Sequence, residues 1–156
     1  MTSHRERRMV SVPADTLFDL VADVERYPEF LTLWRAARVY AREEGGYFTE
    51  QEIGIGLVRE RFRTHTRLNR PDFIDISSID PLFKAFCIRW DFIPIRDGAG
   101  ADVTVTMTWE VRSLLLQRGI EAMLPTTAAR MVTAFEDRAR LIQRRMAACA
   151  DPHRRG

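Results

Sequence analysis

The chain is poor in the residues that metal and redox chemistry need. Its 156 residues include only two cysteines, Cys87 and Cys149, and three histidines, His4, His65 and His153. The cysteines form no CxxC pair, so a zinc ribbon or a thioredoxin-like centre is excluded. HExxH and GxSxG are also missing, which removes the common zinc-protease and serine-hydrolase readings. Gly98-Ala99-Gly100 follows one strand pattern and enters another, whereas a dinucleotide site needs a helix there. No metal and no required cofactor is expected. Long apolar runs are absent too: nothing approaches the roughly 20 residues that span a bilayer. The polar, basic stretch Met1–Arg8 lacks the apolar core of a signal peptide. The expected location is therefore the cytoplasm, with peripheral contact at the inner membrane left open.

Charge of one sign is also scarce. Lys and Arg total 24 against 22 Asp and Glu, a net charge of +2. That balance does not argue for nucleic acid, and no DNA partner is expected. What is present is ordinary globular material, with 46% hydrophobic and 29% charged residues. One domain over residues 1–150 is expected, followed by a polar tail over 151–156.

Periodicity supplies the elements. A first strand is expected over Arg7–Val12. A helix is expected over Ala14–Ala22, with Pro13 and Asp15 suiting its first turn. A second short helical segment runs to about Leu31, and Pro28 makes it broken or 3₁₀-like. Strands are expected over Leu33–Arg42, Tyr47–Ile55, Leu57–Leu68, Phe73–Ile79 and Phe86–Ile95, separated by Gly-, Asn- and Pro-containing turns. In Asp102–Val111 the residues Val103, Val105, Met107, Trp109 and Val111 alternate with Thr104, Thr106, Thr108 and Glu110, which marks a sheet with one buried face. From Ser113 the period becomes helical. Ile120, Leu124, Met131, Phe135, Ala139, Ile142 and Met146 form one stripe. Pro125 is expected to kink or divide that helix. The predicted fold is α+β: a curved antiparallel sheet wrapped around a long C-terminal helix, the one element long enough to cover the sheet's apolar face.

Large aromatics dominate the apolar set. Singly they read as core. Together, on a sheet curled around a helix, they can line a gap without filling it, as ligand pockets do. The predicted pocket comprises Phe30, Trp34, Phe62, Phe83, Phe86, Trp90, Phe92, Trp109, Met123, Leu124, Met131 and Phe135, with Phe18 in the same aromatic set and Met107 as an adaptable wall. The segment Leu114–Leu124 is expected to act as a gate, and the run Leu114-Leu115-Leu116 suits contact with a membrane surface. Asp75 and Asp91 would serve as acid–base groups only if buried beside the pocket. Cys87 reads as a small buried hydrophobe.

The sharpest charge feature is Arg59, Arg61, Arg63, His65 and Arg67 on one face of one strand. This is either a solvated outer face partnered by Glu43, Glu44, Glu50 and Glu52, or a patch for anionic lipid headgroups or ribosomal RNA. No aromatic alternates with these residues along the strand itself, which weakens the RNA option.

Four segments carry a family resemblance. They are the opening run from Leu17 through Asp23-Val24-Glu25-Arg26-Tyr27-Pro28-Glu29-Phe30-Leu31; Pro81-Leu82-Phe83-Lys84 with Trp90-Asp91-Phe92-Ile93-Pro94; the alternating strand ending at Trp109-Glu110; and Phe135-Glu136-Asp137-Arg138-Ala139. In these the chain resembles the START-like (polyketide cyclase/dehydrase-like) superfamily with its helix-grip fold. Within it the chain is similar to the coenzyme Q-binding and ribosome-association toxin families, over about residues 7–146. Thr32 and Arg35 depart from the proline and cysteine of the family's opening motif, and Leu82 departs from its Pro-Phe-Lys run. The resemblance implies a non-catalytic domain holding ubiquinone or a related polyisoprenoid lipid, a quinone carrier supporting respiration or quinone biosynthesis. The alternative it implies is a factor that binds the ribosome and blocks subunit association. An aromatase/cyclase-type enzyme, seen elsewhere in the superfamily, is the third option.

Overall fold

The computed structural model describes residues 2–150; of Thr2, Ile55, residues 119–120 and 123–128, and Ala150 it describes the backbone alone. Strand β1 (Thr2–Val10) is followed by helix α1 (Ala14–Ala22) and a 3₁₀ turn over Val24–Glu29. Then come β2 (Trp34–Glu43), β3 (Gly46–Ile55), β4 (Val58–Asn69), β5 (Phe73–Ser77), β6 (Phe83–Ile95), β7 (Gly100–Val111) and the long helix α2 (Leu114–Ala150). The strands form one antiparallel sheet in the order β1-β7-β6-β5-β4-β3-β2.

Several expected element ends change: β1 stops at Val10 instead of Val12, β5 at Ser77 instead of Ile79, and β7 begins at Gly100 instead of Asp102. β1 begins at Thr2, not Arg7, because the polar residues before Arg7 pair in register with β7, Arg5 opposite Thr106 and Ser3 opposite Thr108. A tertiary ladder overrides their weak local strand pattern. β6 begins at Phe83, where a register shift between Phe83 and Ala85 lets the strand start earlier than alternation alone implies. The tight β2–β3 connection turns at Gly45, whose φ of +74° is a conformation that glycine adopts without strain.

α2 runs unbroken for 37 residues. Pro125 does not divide it, although the residue lacks the helical N–H donor and costs an interior hydrogen bond. Among the described residues of α2, Gln117 is buried near its start, and the buried apolar positions are Val132, Phe135 and Ala139, with Met131, Ala134 and Ile142 packed beside them. The apolar stripe stops there, because Met146 is 67% exposed. The predicted stripe positions Ile120 and Leu124 fall outside the described side chains. Arg8 from β1 fastens the helix, donating to Thr133 Oγ1 at 2.6 Å and to the Ala129 carbonyl at 3.4 Å. Arg138 reaches Glu29 at 2.9 Å and lies over the Phe30 ring. α1 closes the other end of the core with Leu17, Phe18, Leu20 and Val21. Phe18 meets Phe92 edge-on at 5.8 Å.

Candidate functional site: an apolar cavity under the long helix

Between α2 and the inner face of the sheet lies a cavity of about 90 Å³. It is a narrow slot, well below the about 300–1,000 Å³ of a drug-sized site. Strand alternation builds its walls. β6 contributes Phe83, Phe86, Ile88 and Trp90; β7 contributes Met107, Trp109 and Val111; β4 contributes Phe62, Thr64 and Thr66; β3 contributes Tyr47, Gln51 and Ile53. The roof is Leu116, Met131 and Phe135 from α2, and Tyr27 and Trp34 close one side. Phe62, Phe83 and Phe86 form one aromatic cluster, with Phe62–Phe83 centroids 5.5 Å apart and Phe83–Phe86 4.7 Å apart. Phe135 is the hub of another, within 5.3 Å of both the Tyr27 and Trp90 rings.

Trp34, Phe62, Phe83, Phe86, Trp90, Trp109, Met131 and Phe135 of the predicted pocket line this slot, as does Met107. Two others do not. Phe30 packs outside it against Phe135, at 5.2 Å, and under Arg138. Phe92 stacks behind Trp90 and is taken up by Phe18 of α1. Met123 and Leu124 lie outside the described side chains. Asp75 and Asp91 are not in the cavity at all. They sit on the outer face, both held by Arg89, at 2.9 and 3.1 Å. The alternation that turns Trp90 and Phe92 inward turns Asp91 outward. Cys87 is likewise exposed on that face instead of buried, and partial burial followed by the nearby Asp75 pushes its thiol pKa up.

The polar part of the wall was not predicted. Trp34 Nε1 donates to Gln51 Oε1 at 2.7 Å, and Gln51 Nε2 donates to Thr49 Oγ1 at 2.9 Å and to Thr64 Oγ1 at 3.3 Å. The Thr49 and Thr64 hydroxyls bond to each other. Tyr47 donates its hydroxyl to the Ala22 carbonyl at 2.7 Å, and Tyr27 donates to the Val21 carbonyl. Burial pushes the Tyr47 phenol up to about 12 and the Tyr27 phenol well above its ordinary value. One signal for this set was present: if Arg61, Arg63 and His65 face outward, period two puts Phe62, Thr64 and Thr66 inside. Trp109 differs from the rest, since its Nε1 is buried without a hydrogen-bond partner among the described residues.

The basic strand does face outward. Arg61 lies 3.9 Å from Glu52, His65 pairs with Glu43, and Arg67 lies 3.2 Å from Asp75. The solvated, cross-paired reading is therefore met for these three, with Asp75 of β5 as an additional partner; Glu50 turns to Arg38 instead, at 3.8 Å. The neighbouring strands also bring aromatics that the strand itself lacks. Phe48 stacks on His65 at 4.4 Å with an interplanar angle of 11°, and Arg63 lies over Tyr40 at 5.8 Å.

At one end of the sheet, exposed apolar side chains lie on connections next to wall residues of the cavity. The β3–β4 turn, the β5–β6 connection, the β7–α2 junction and the start of β2 all fall at this end by register. Leu57 and Ile79 are fully exposed, Leu115 and Leu114 are 84% and 76% exposed, and Val58 is 45% exposed. Each is within three residues of a wall residue or is one: Val58, Leu82 or Leu116. Among the described residues, no helix is long and apolar enough to cross a membrane, and no group of His, Cys, Asp and Glu could hold a metal ion.

Comparisons with known proteins place this architecture. A family model described as polyketide cyclase / dehydrase and lipid transport matches residues 10–136. The ribosome association toxin RatA of Pseudomonas aeruginosa is 30% identical over 141 residues, which is 90% of this chain and 97% of that protein. The mitochondrial coenzyme Q-binding protein COQ10 homolog B of Xenopus laevis is 24% identical over 139 residues, 87% of this chain and 57% of that protein. Among solved structures, the Zhui aromatase/cyclase from Streptomyces sp. R1128 superposes with a TM-score of 0.77 at 13% identity, over 89% of this chain and 93% of that one. At that identity the likeness shows the fold, which is the START-like helix-grip. With a sheet gripping a C-terminal helix over an apolar slot, and with most of its length matched by the family model, this chain belongs to the polyketide cyclase / dehydrase and lipid transport family.

Proposed function

We propose that the protein is a non-catalytic carrier that holds a hydrophobic molecule under α2, with ubiquinone or a related polyisoprenoid lipid as the ligand class. The observation that carries this reading is the apolar slot, with exposed leucines and isoleucine on the connections that adjoin its wall residues. Burying a prenyl chain there gains roughly 0.8 kcal/mol per methylene. The slot is narrow when closed, so entry parts its walls, and Met107 and Met131 are side chains that adapt to such a change. Loading takes place at a membrane surface, where the exposed rim enters the headgroup layer beside Arg59, Arg112 and Arg118. A carrier reading also fits the wall chemistry: among its described residues the titratable groups are Tyr27, Tyr47 and Glu60, and both phenols are committed to backbone carbonyls. Organic extraction of protein purified from its native host, followed by mass spectrometry, tests the proposal. A stoichiometric prenyl quinone or prenyl lipid is expected; repeated recovery of protein without any lipid overturns it.

A second reading, binding to the ribosome, is favoured by the outer face of β2–β4. Arg63 there lies over Tyr40 on the same face as the Phe48–His65 stack, with Arg61 and Arg67 on the same strand, and bases stack on such aromatic-basic surfaces. The name of the Pseudomonas aeruginosa relative points the same way. Co-sedimentation with ribosomal subunits is expected to weaken steeply with salt and to vanish in the R61E/R63E double variant. Binding that the double variant keeps would remove this reading.

A further inference from the structure

On the cavity wall, one buried polar atom has no partner among the described residues, the Trp109 indole N–H. Trp109 stands in the β7 row with Val103, Val105, Met107 and Val111, all of them apolar. Its ring lies 6.2 Å from Phe86 on the paired position of β6. A phenylalanine would bury a comparable ring there without stranding an N–H. The indole Nε1–H is a donor only, it is buried, and it has no acceptor among the described residues. The contrast with the opposite wall is direct. There Trp34 Nε1 has Gln51 Oε1, and Gln51 in turn spends its amide hydrogens on Thr49 and Thr64. That network is internally satisfied and asks nothing of a ligand. Buried donors in folded proteins nearly always find acceptors, so one left open on a cavity wall marks where a bound molecule supplies one.

We infer that Trp109 Nε1–H is a hydrogen-bond anchor for a carbonyl oxygen of the bound molecule, which fixes that oxygen against the β6–β7 wall. This inference rests on the carrier reading and narrows it. The ligand is not a bare hydrocarbon but an apolar molecule with a carbonyl group, either on a quinone ring or in an acyl ester. The anchor lies inside the slot, so the carbonyl end is buried beneath α2 and does not stay among the rim residues.

Three probes separate the possibilities: decylubiquinone, which carries ring carbonyls; methyl dodecanoate, which carries an acyl carbonyl; and decylbenzene, which carries neither. Their affinities for the wild-type protein and W109F are measured by equilibrium dialysis from detergent micelles. W109F is expected to bind at least one carbonyl probe about tenfold more weakly, the worth of one buried hydrogen bond, while keeping its affinity for decylbenzene. The carbonyl probe affected tells ring from ester. In the wild-type protein, the indole proton resonance that W109F lacks is expected to move downfield with that same probe and to stay put with decylbenzene. This second readout does not depend on the variant's fold. Equal weakening toward all three probes, or none, together with a stationary indole resonance overturns the anchor while leaving the carrier reading standing. Failure of all three probes to bind the wild-type protein overturns both.

Discussion

The inner and outer sides of a single strand do different work here, and the difference is visible residue by residue. Tyr47 shows how a wall residue is tied to stability. Its phenol is raised to about 12 because burial disfavours the charged form. A group held protonated in the fold contributes stability that is intact below its unfolded value near 10 and is lost as pH rises toward the folded value. The melting temperature is therefore expected to fall as pH rises from 10 toward 12, and Y47F should show a shallower fall over the same window in differential scanning calorimetry. Gln51 makes a different kind of contribution. Replacing it with leucine leaves the part-buried Trp34 N–H without its acceptor, a loss of about 1 kcal/mol that urea unfolding would register. The aromatic part of the site was legible from composition, because large rings on a half-buried strand have few other uses. Gln51, Thr49 and Thr64 were not. Polar residues at alternate positions look solvent-facing until the arginine face of β4 is known to be the outer one.

At the scale of elements, α2 decides how much of the core is real. Among its described residues the apolar packing surface runs from Met131 to Ile142, with Val132, Phe135 and Ala139 buried, and Phe135 is 1% exposed at the meeting point of the Tyr27, Phe30 and Trp90 rings. F135A is expected to lose about 3–5 kcal/mol in chemical denaturation. Met146 sits on the same helical stripe by spacing but is 67% exposed, so M146A should change stability by less than about 0.5 kcal/mol. Sequence spacing cannot distinguish these two, since a stripe continues past the edge of whatever it covers. The same limit applies to Pro125, where helix continuity depends on anchors elsewhere. Arg8 to Thr133 and Arg138 to Glu29 hold α2 from partners more than 100 residues away in sequence. Strand existence was legible throughout from period-two alternation. The early start of β1 was not, because its polar residues take their conformation from β7.

For the molecule as a whole, the important fact is where the exposed apolar residues gather. Leu57 comes from a hairpin, Ile79 from the β5–β6 connection, and Leu114 and Leu115 from the start of α2. Only the leucine run was recognisable in sequence; the others join it because antiparallel order returns three connections to the same end of the sheet. Left in water, such side chains bring no folding gain, so substituting them should spare stability. At a bilayer each would bury its side chain, and the neighbouring arginines would add attraction to anionic headgroups, about 1 kcal/mol per cation near the surface. A triple variant, L57S/I79S/L115S, is therefore expected to melt within about 2 °C of the wild-type protein, because surface changes of this kind cost little. Its affinity for vesicles of phosphatidylglycerol and phosphatidylcholine, measured by sedimentation, should fall about a thousandfold, since three buried aliphatic side chains are each worth roughly 1.5 kcal/mol. Dialysis from micelles should still load its slot, because the walls are untouched. Undiminished vesicle binding by the triple variant would mean that the rim does not enter the bilayer and that the protein meets its ligand elsewhere.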